Sequence, residues 1–312
     1  MIKKYLTLIF LFLLTPSLGI AEYPNKGVNF IVPWPPGDFE TILTQIIADE
    51  FKNETGVPSI VLNREGQDGN PFTGALEVLN APSDGYIIGS FVLDIPILGP
   101  LVDKEIEDSS FEPIGIFLTY PFVIATSKNS SYSNFEELSL FAKNNKIKFD
   151  HHGLGIIPTS ITLAAAKKMD FEFEFSTNPT VSHCDAISSG DADVVSTALV
   201  MIEECIEDIK ILAIIGSEKI EKLPGIKTLS EQTGINDLEW WNGLFVRKGT
   251  PKEIKDIIEK VAKKAVLSDL SQELMKQKGV RVYWEGQEKA KKRIIEDTKK
   301  LMEIHLLANY KL

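Results

Sequence analysis

The chain has 312 residues, 44% hydrophobic and 25% charged, a globular composition that excludes a mainly disordered protein. Two cysteines exclude a disulfide-dense scaffold, and the length suggests roughly two domains. Lys and Arg number 33 against 44 Asp and Glu, and the net charge of −11 argues against nucleic acid or an anionic membrane surface as a partner.

The chain opens on an address. Lys3 and Lys4 precede an apolar run from Tyr5 to Leu14, Pro16 and Ser17 break it, and Gly19-Ile20-Ala21 offers small residues for cleavage. This predicts a secretory signal peptide over 1–21. The apolar run is shorter than the roughly 20 residues a membrane anchor needs. No cysteine follows it, so a lipoprotein is not expected, and no later stretch is apolar enough to span a membrane. The mature chain is expected in the periplasm of a Gram-negative cell, where Cys184 and Cys205 form either a bridge or two buried thiols.

Strands then alternate with helices. Val28 to Val32 reads as a buried strand, followed by the loop Pro33-Trp34-Pro35-Pro36-Gly37-Asp38 and a helix from about Phe39 to Asn53 with Ile42, Leu43, Ile46, Ile47 and Phe51 on one face. Ser59 to Leu62 is a strand, Asn63 to Asn70 a turn-rich loop, Pro71 to Asn80 a helix, and Tyr86 to Val92 a third strand. This β-α-β-α-β order predicts a mostly parallel sheet covered on both faces. The pattern restarts: strand Pro121 to Ser127, helix Phe135 to Asn144, strand Lys148 to His151, a Gly loop from His152, and a helix from Ser160 to Lys168. Strands near Phe171–Phe175, Asp193–Ser196 and Ile211–Ile215 follow, with a helix over Ser182 to Ser189. Thr250-Pro251-Lys252-Glu253 reads as a capping box with Pro at the first helical position. Beyond it come two helices, a strand over Val280 to Trp284, and a last helix from about Glu288 to Leu307. The fold class is therefore α/β, with two lobes and a helical C-terminal tail.

Catalytic motifs are absent: no GxSxG elbow, HExxH, P-loop or GxGxxG after the first strand. No metal site is expected from two Cys and four scattered His, and no cofactor is expected. An exported two-lobed α/β protein without such machinery reads as a ligand-binding protein with its site in the crevice at the carboxyl ends of strands. Two loops are candidates, because each follows a strand and opens a helix, offering free N–H groups and a positive dipole end to an anion. The first is Trp34 to Thr41. The second is Gly153 to Ser160, where Thr159 and Ser160 add hydroxyl donors. Plain strand–helix punctuation is the competing reading of either loop.

Tyr23-Pro24-Asn25-Lys26 with Ile31-Val32-Pro33-Trp34-Pro35-Pro36-Gly37, then Asn63-Arg64-Glu65-Gly66 and Gly69, Ser83-Asp84-Gly85-Tyr86, Gly153-Leu154-Gly155, Trp241-Asn242-Gly243-Leu244-Phe245 and Gly249-Thr250-Pro251-Lys252-Glu253-Ile254 form an ordered set. The set resembles the substrate-binding proteins of the tripartite tricarboxylate transporter family, the Bug or TctC-like receptors, over nearly the whole mature chain. The resemblance implies a type II, Venus-flytrap-like periplasmic binding protein. Lobe one would span 22–121 plus 243–312 and lobe two 122–242. It would act as a monomer that captures a small organic acid and delivers it to the membrane permease subunits. Presentation of the ligand to a sensor kinase, or an exported hydrolase, are the alternatives.

On that resemblance the ligand-binding residues are Trp34, Pro36, Gly37, Asp38, Phe39, Glu40 and Thr41 in the first loop, and His152, Gly155, Ile157, Thr159 and Ser160 in the second. Thr197 stands where the family commonly has an Asp. Thr41 falls where relatives carry an Asp used against amine-bearing ligands, which weakens an amino-acid reading. Glu40 either favours the helix N-terminus or faces a hydroxyl, amide or amine of the ligand. His151 and His152 replace small hydroxyl residues and are either pH-sensitive carboxylate donors or a packed pair. The third binding segment reads Thr177-Asn178-Pro179. Phe39, Ile156 and Ile157 suggest a more apolar pocket wall, with core packing the competing explanation.

Overall fold

The structure, a computed structural model, describes residues 23–66, 71–153, 156–175, 182–216, 219–220, 222–236, 238–278 and 280–308. The expected leader, Gly155 and Thr177-Asn178-Pro179 lie outside them.

The first sheet is built around β1 (Val28–Val32), which is buried along almost its whole length. It pairs in parallel with β2 (Ser59–Asn63) and β3 (Ile87–Val92). α1 (Phe39–Thr55) and α2 (Phe72–Asn80) make the two crossovers. α1 starts where Asp38 accepts the Thr41 N–H and stops at Gly56, whose φ of 75° suits a residue without Cβ. Phe39, Leu43, Ile47 and Phe51 recur at helical spacing and are buried. They share a core with Val261 and Ala265 of α8 (Lys252–Val266).

After β3 the chain does what its composition concealed. α3 (Asp94–Val102) forms despite Pro96, Gly99 and Pro100, and β4 (Phe111–Tyr120) forms despite Pro113 and Gly115. β4 runs straight into the second sheet: only Pro121 separates Tyr120 from β5 (Phe122–Ser127). The second sheet adds β6 (Lys148–His151), β7 (Glu174–Phe175), β8 (Val194–Ala198) and β9 (Ile209–Ile215) in the order β7-β6-β8-β5-β9. Its helices include α4 (Phe135–Ala142), α5 (Ile157–Lys168), α6 (His183–Ser189) and a 3-10 segment (Leu199–Asp208), with α7 (Leu229–Thr233) on the return. β10 (Trp240–Arg247) returns to the first sheet, α9 (Asp269–Lys278) follows α8, and β11 (Arg281–Gly286) closes the order β11-β4-β10-β3-β1-β2.

Both sheets are mixed. Parallel pairing is confined to β1–β3 and β6–β8. The crossing strands β10 and β5 run antiparallel to their neighbours, because each enters its sheet directly from the other one. The expected capping box at Thr250 does not form. Its hydroxyl donates back to the Arg247 carbonyl at 2.7 Å, and Pro251 occupies the N-cap. A complete box stands instead at Thr228 and Glu231.

α10 (Gln287–Ala308) lies across α3, β4 and α5, so the last helix touches elements of both sheets. Its anchor is polar: the Trp241 Nε1–H donates to Asp297 Oδ2 at 2.8 Å, and Arg293 binds Glu239 at 2.7 Å and Glu285 at 3.3 Å.

Cys184 and Cys205 are bridged, with Cα atoms 5.9 Å apart. The cystine ties α6 to the 3-10 segment across 21 residues of sequence. Constraining a ring of that size in the unfolded chain contributes about 3 kcal/mol. Cys184→Ser/Cys205→Ser is accordingly expected to lower the urea midpoint under oxidising conditions and to leave it unchanged under reducing ones; equal midpoints in both would rule the contribution out.

Candidate ligand cleft

Where the chain crosses between the sheets lies a cavity of about 590 Å³. One wall is the β1–α1 loop from Trp34 to Phe39, with Val92, Tyr120 and Trp240 at the ends of β3, β4 and β10. The opposite wall is Phe122, His152, Ile156, Ala198, Val200 and Met201. The cavity therefore sits at the carboxyl ends of β1, β3, β6 and β8, the position where open α/β sheets bind ligands. Its floor is aromatic: Phe122 lies 4.9 Å from Trp240 and 6.0 Å from His152, and Phe39 lies 6.4 Å from Tyr120, centroid to centroid.

Sequence fixes the first loop by three devices. Gly37 adopts φ of 105°, open only to residues without Cβ strain. Asp38 caps α1. Asn63 at the end of β2 donates from Nδ2 to the Trp34 carbonyl at 2.7 Å and to Thr41 Oγ1 at 3.0 Å. Thr41 is thus engaged in holding the loop and does not line the cavity.

Glu40 turns away from the cavity and is completely buried behind the loop. Neither of its oxygens reaches hydrogen-bond geometry, although Asn242, Ser90 and Trp34 stand beside it. Burial first, and then the charge of Asp38, push its pKa well above the usual carboxylate range. Burial, then Glu40 and Asp38, push the Tyr120 hydroxyl upward as well. Glu40 stands in the first turn of α1, as the helix-start reading has it, but its side chain enters the core and does not line the cavity.

The second loop also departs from expectation. α5 begins at Ile157, three residues before Ser160, so Ile157, Thr159 and Ser160 are turned inward and buried and do not line the cavity. The first N–H of α5, that of Ile157, donates to Asp94 Oδ1 at 3.0 Å. Asp94 belongs to α3, on the other sheet, and is wholly buried. Burial raises its pKa from 3.8 to about 7 against the opposing pull of the Ile157 and Asp94 backbone N–H groups.

Behind His152 runs a relay. Asp150 Oδ2 lies 2.7 Å from His183 Nδ1, His183 Nε2 lies 3.2 Å from His152 Nε2, and His152 Nε2 lies 3.0 Å from Thr197 Oγ1. Burial raises Asp150, but the bond and charge of His183 outweigh it and leave the carboxyl below its ordinary value. The bond to Asp150 orients the His183 ring so that its Nε2 meets His152 Nε2. His152 itself lines the cleft. Desolvation, then His183, hold His152 below the ordinary imidazole range. Thr197 is fully buried and anchors His152 rather than lining the cavity. His151 accepts the Gly153 N–H at Nδ1 and packs beside Phe149 and Phe175.

Trp34, Pro36, Gly37, Asp38, Phe39, His152 and Ile156 are therefore the expected residues that line the cavity. Tyr120, Phe122 and Trp240 line it without being expected as ligand-binding residues, and Asp94, which does not line it, is an unexpected partner of the second loop. The signal for the first three is positional, since a two-sheet chain places its crossings at the cleft floor. Among the described residues no group of three or more His, Cys, Asp or Glu could hold a metal ion, and no helix is long and apolar enough to cross a membrane.

The raised Asp94 pKa has a sign. The folded protein holds this proton more tightly than the unfolded chain, so its contribution is complete below pH 3.8 and is lost as pH rises through about 7. His151 and His152, lowered by burial, act in the opposite direction. Comparison with Asp94→Asn isolates the carboxyl. Between pH 5 and pH 8 the stability difference is expected to move in the variant's favour by a few kcal/mol, at about 1.4 kcal/mol per pKa unit. A difference that stays constant with pH in urea unfolding would contradict the raised value.

The family model for the tripartite tricarboxylate transporter family receptor matches residues 43–307. A protein encoded between tcbD and tcbE in Pseudomonas sp. strain P51 is 26% identical over 283 residues, covering 86% of this chain and 82% of the relative. In fold, the chain is similar to Rpa4515 of R. palustris, solved with adipate, at a TM-score of 0.78 and 17% identity, covering 92% of this chain and 99% of the other. It is also similar to MatC (Rpa3494) of Rhodopseudomonas palustris, solved with malate, at 0.72 and 18%, covering 92% and 100%. The match to the family model spans most of the chain, and the α/β architecture of its solved neighbours is the one seen here: the chain belongs to the tripartite tricarboxylate transporter receptor family.

Proposed function

We propose that this receptor is exported, binds a small organic acid in the cleft between its two sheets, and delivers it to the membrane permease of a tripartite tricarboxylate-type transporter. The observation that carries this reading is the cavity at the carboxyl ends of four strands, bounded by both sheets and floored by the crossing at Tyr120-Pro121-Phe122. Lobe one is 22–121 plus 243–312 and lobe two 122–242, with the two crossings as hinge. A ligand in contact with both walls favours the closed arrangement by its differential affinity for it. Malate and adipate in the similar solved proteins support an acid as ligand. A role in binding fits the Thr197 hydroxyl, which lies 3.0 Å from His152 Nε2 but is sealed inside β8.

A thermal-shift screen of the chain from residue 22 against mono-, di- and tricarboxylates tests the reading. A solute at 100 times its dissociation constant stabilises the native state by about 2.7 kcal/mol. A shift confined to one class of acid is the expected result. No shift with any acid, in protein shown by native mass spectrometry to carry no bound solute, would overturn it.

A further inference from the structure

We propose that the cleft takes an organic acid that also carries a quaternary ammonium group, with the positive centre held among the aromatic rings of the floor beside Asp38. The inference rests on the organic-acid reading and narrows it to a zwitterionic class.

The lining has a charge, and its sign is negative. Among the described residues it contains no Lys or Arg, and its one acid is Asp38. Its one imidazole, His152, is held below the ordinary range by desolvation and so is neutral at neutral pH, with its Nε2 taken up by His183 and Thr197. Glu40 lies behind the loop with both oxygens buried and unpartnered, close enough for Asp38 to raise its pKa further. Buried carboxyl groups kept at such a cost call for an explanation. A positive centre in the cavity lowers that cost by favouring their charged forms.

Five aromatic rings line the same cavity. Trp34 and Phe39 come from the β1–α1 loop, Tyr120 and Trp240 from the ends of β4 and β10, and Phe122 from the other sheet. The negative π face of such rings attracts a cation. A methylated ammonium suits this lining better than a primary one. It offers methyl groups to the rings and has no N–H, whereas a primary ammonium brings three donors that each need an acceptor. Asp38 already takes the Thr41 N–H. An acid without the positive centre meets the Asp38 charge uncompensated. The acid end of a zwitterion can stay at the rim, where Pro36 and Gly37 are exposed and water hydrates it.

The test is a calorimetric titration of the chain from residue 22 with 4-(trimethylammonio)butanoate and 5,5-dimethylhexanoate. The two acids have the same shape and differ only in a charged nitrogen or a neutral carbon at the branch. The expected result is a dissociation constant at least tenfold lower for the ammonium acid. Tetramethylammonium chloride is expected to compete with it, and sodium chloride at the same concentration is not. Asp38→Asn, which keeps a good N-cap for α1, is expected to bring the two constants within about threefold. Equal binding of the two acids by the wild type, or competition by sodium as strong as by tetramethylammonium, would overturn the proposal and leave the organic-acid reading standing. Binding of neither, with another acid giving a thermal shift, would do the same. Binding of neither, with no acid giving a shift, would overturn both. An unchanged ratio in folded Asp38→Asn protein would overturn the role given to Asp38, and the wild-type ratio decides the ligand class even where that variant fails to fold.

Discussion

Trp240→Ala is expected to weaken solute binding by about 30-fold, the effect of losing 2 kcal/mol or more at a buried aromatic contact. Trp240 lines the cavity from the first residue of β10, and its ring lies against Phe122 from the other sheet. Its loss removes a ring face from the floor and loosens the contact that sets the two walls at their spacing. Calorimetric titration with the solute that gives the largest thermal shift checks this. An affinity within twofold of wild type would remove Trp240 from the site.

The next residue is expected to do the reverse. Successive side chains on a strand point to opposite faces, and Trp241 enters the core, fully buried, against Phe245. Trp241→Ala removes one of the largest buried side chains and leaves Asp297 without its indole donor at a nearly inaccessible position. Truncations of this kind cost about 3–5 kcal/mol, and the lost hydrogen bond to Asp297, which keeps Arg293 at 3.5 Å and Lys300 at 3.6 Å, adds to that. Urea unfolding should show the loss as a lower midpoint at unchanged slope. A loss below about 1 kcal/mol would mean that α10 does not depend on this anchor. Trp241→Phe keeps much of the volume and isolates the hydrogen bond. Together the neighbouring tryptophans separate binding from stability along a single strand.

What the residues reveal in advance depends on how local their reasons are. β1 and α1 are legible because an apolar run, a Pro/Gly loop and a periodic apolar face lie next to one another in sequence. β4 is not, because Pro113 and Gly115 speak against a central strand. The sheet explains both. β11 reaches β4 only from Thr119 to Gly115, so at Pro113 that side of β4 is an edge. Gly115 is required because a Cβ there would lie 2.4 Å from the Trp284 ring. α3 hides for a similar reason: Pro96, Gly99 and Pro100 lower its helical propensity, and burial of Ile95, Ile97 and Leu98 against the core overrides it.

The same distinction runs through the site. The first loop was readable because its punctuation is contiguous. The second is not readable locally, because the first N–H of α5 is met by Asp94 of α3, 63 positions away. His183 falls within the helix expected over Ser182 to Ser189, and only the placement of α6 in the fold brings it to Asp150 and His152. Glu40 sits at a position where surface helices commonly carry an acid, and only the packing of Ser90 and Asn242 around it shows that it is enclosed.

The strand order also sets a schedule for the growing chain. β4 pairs with β10 and β11 and with no earlier strand, so Ile114, Ile116, Phe117 and Leu118 have no sheet neighbour until the return segment arrives. The second sheet is drawn entirely from Phe122 to Ile215 and can close before then. A chain delivered from its N-terminus therefore finishes its middle first and keeps an apolar strand waiting, a state prone to association with other chains. The final residues act as a fastener: β11 and α10 cover β4 from its edge and its face, and maturation is complete only when the last stretch has been released.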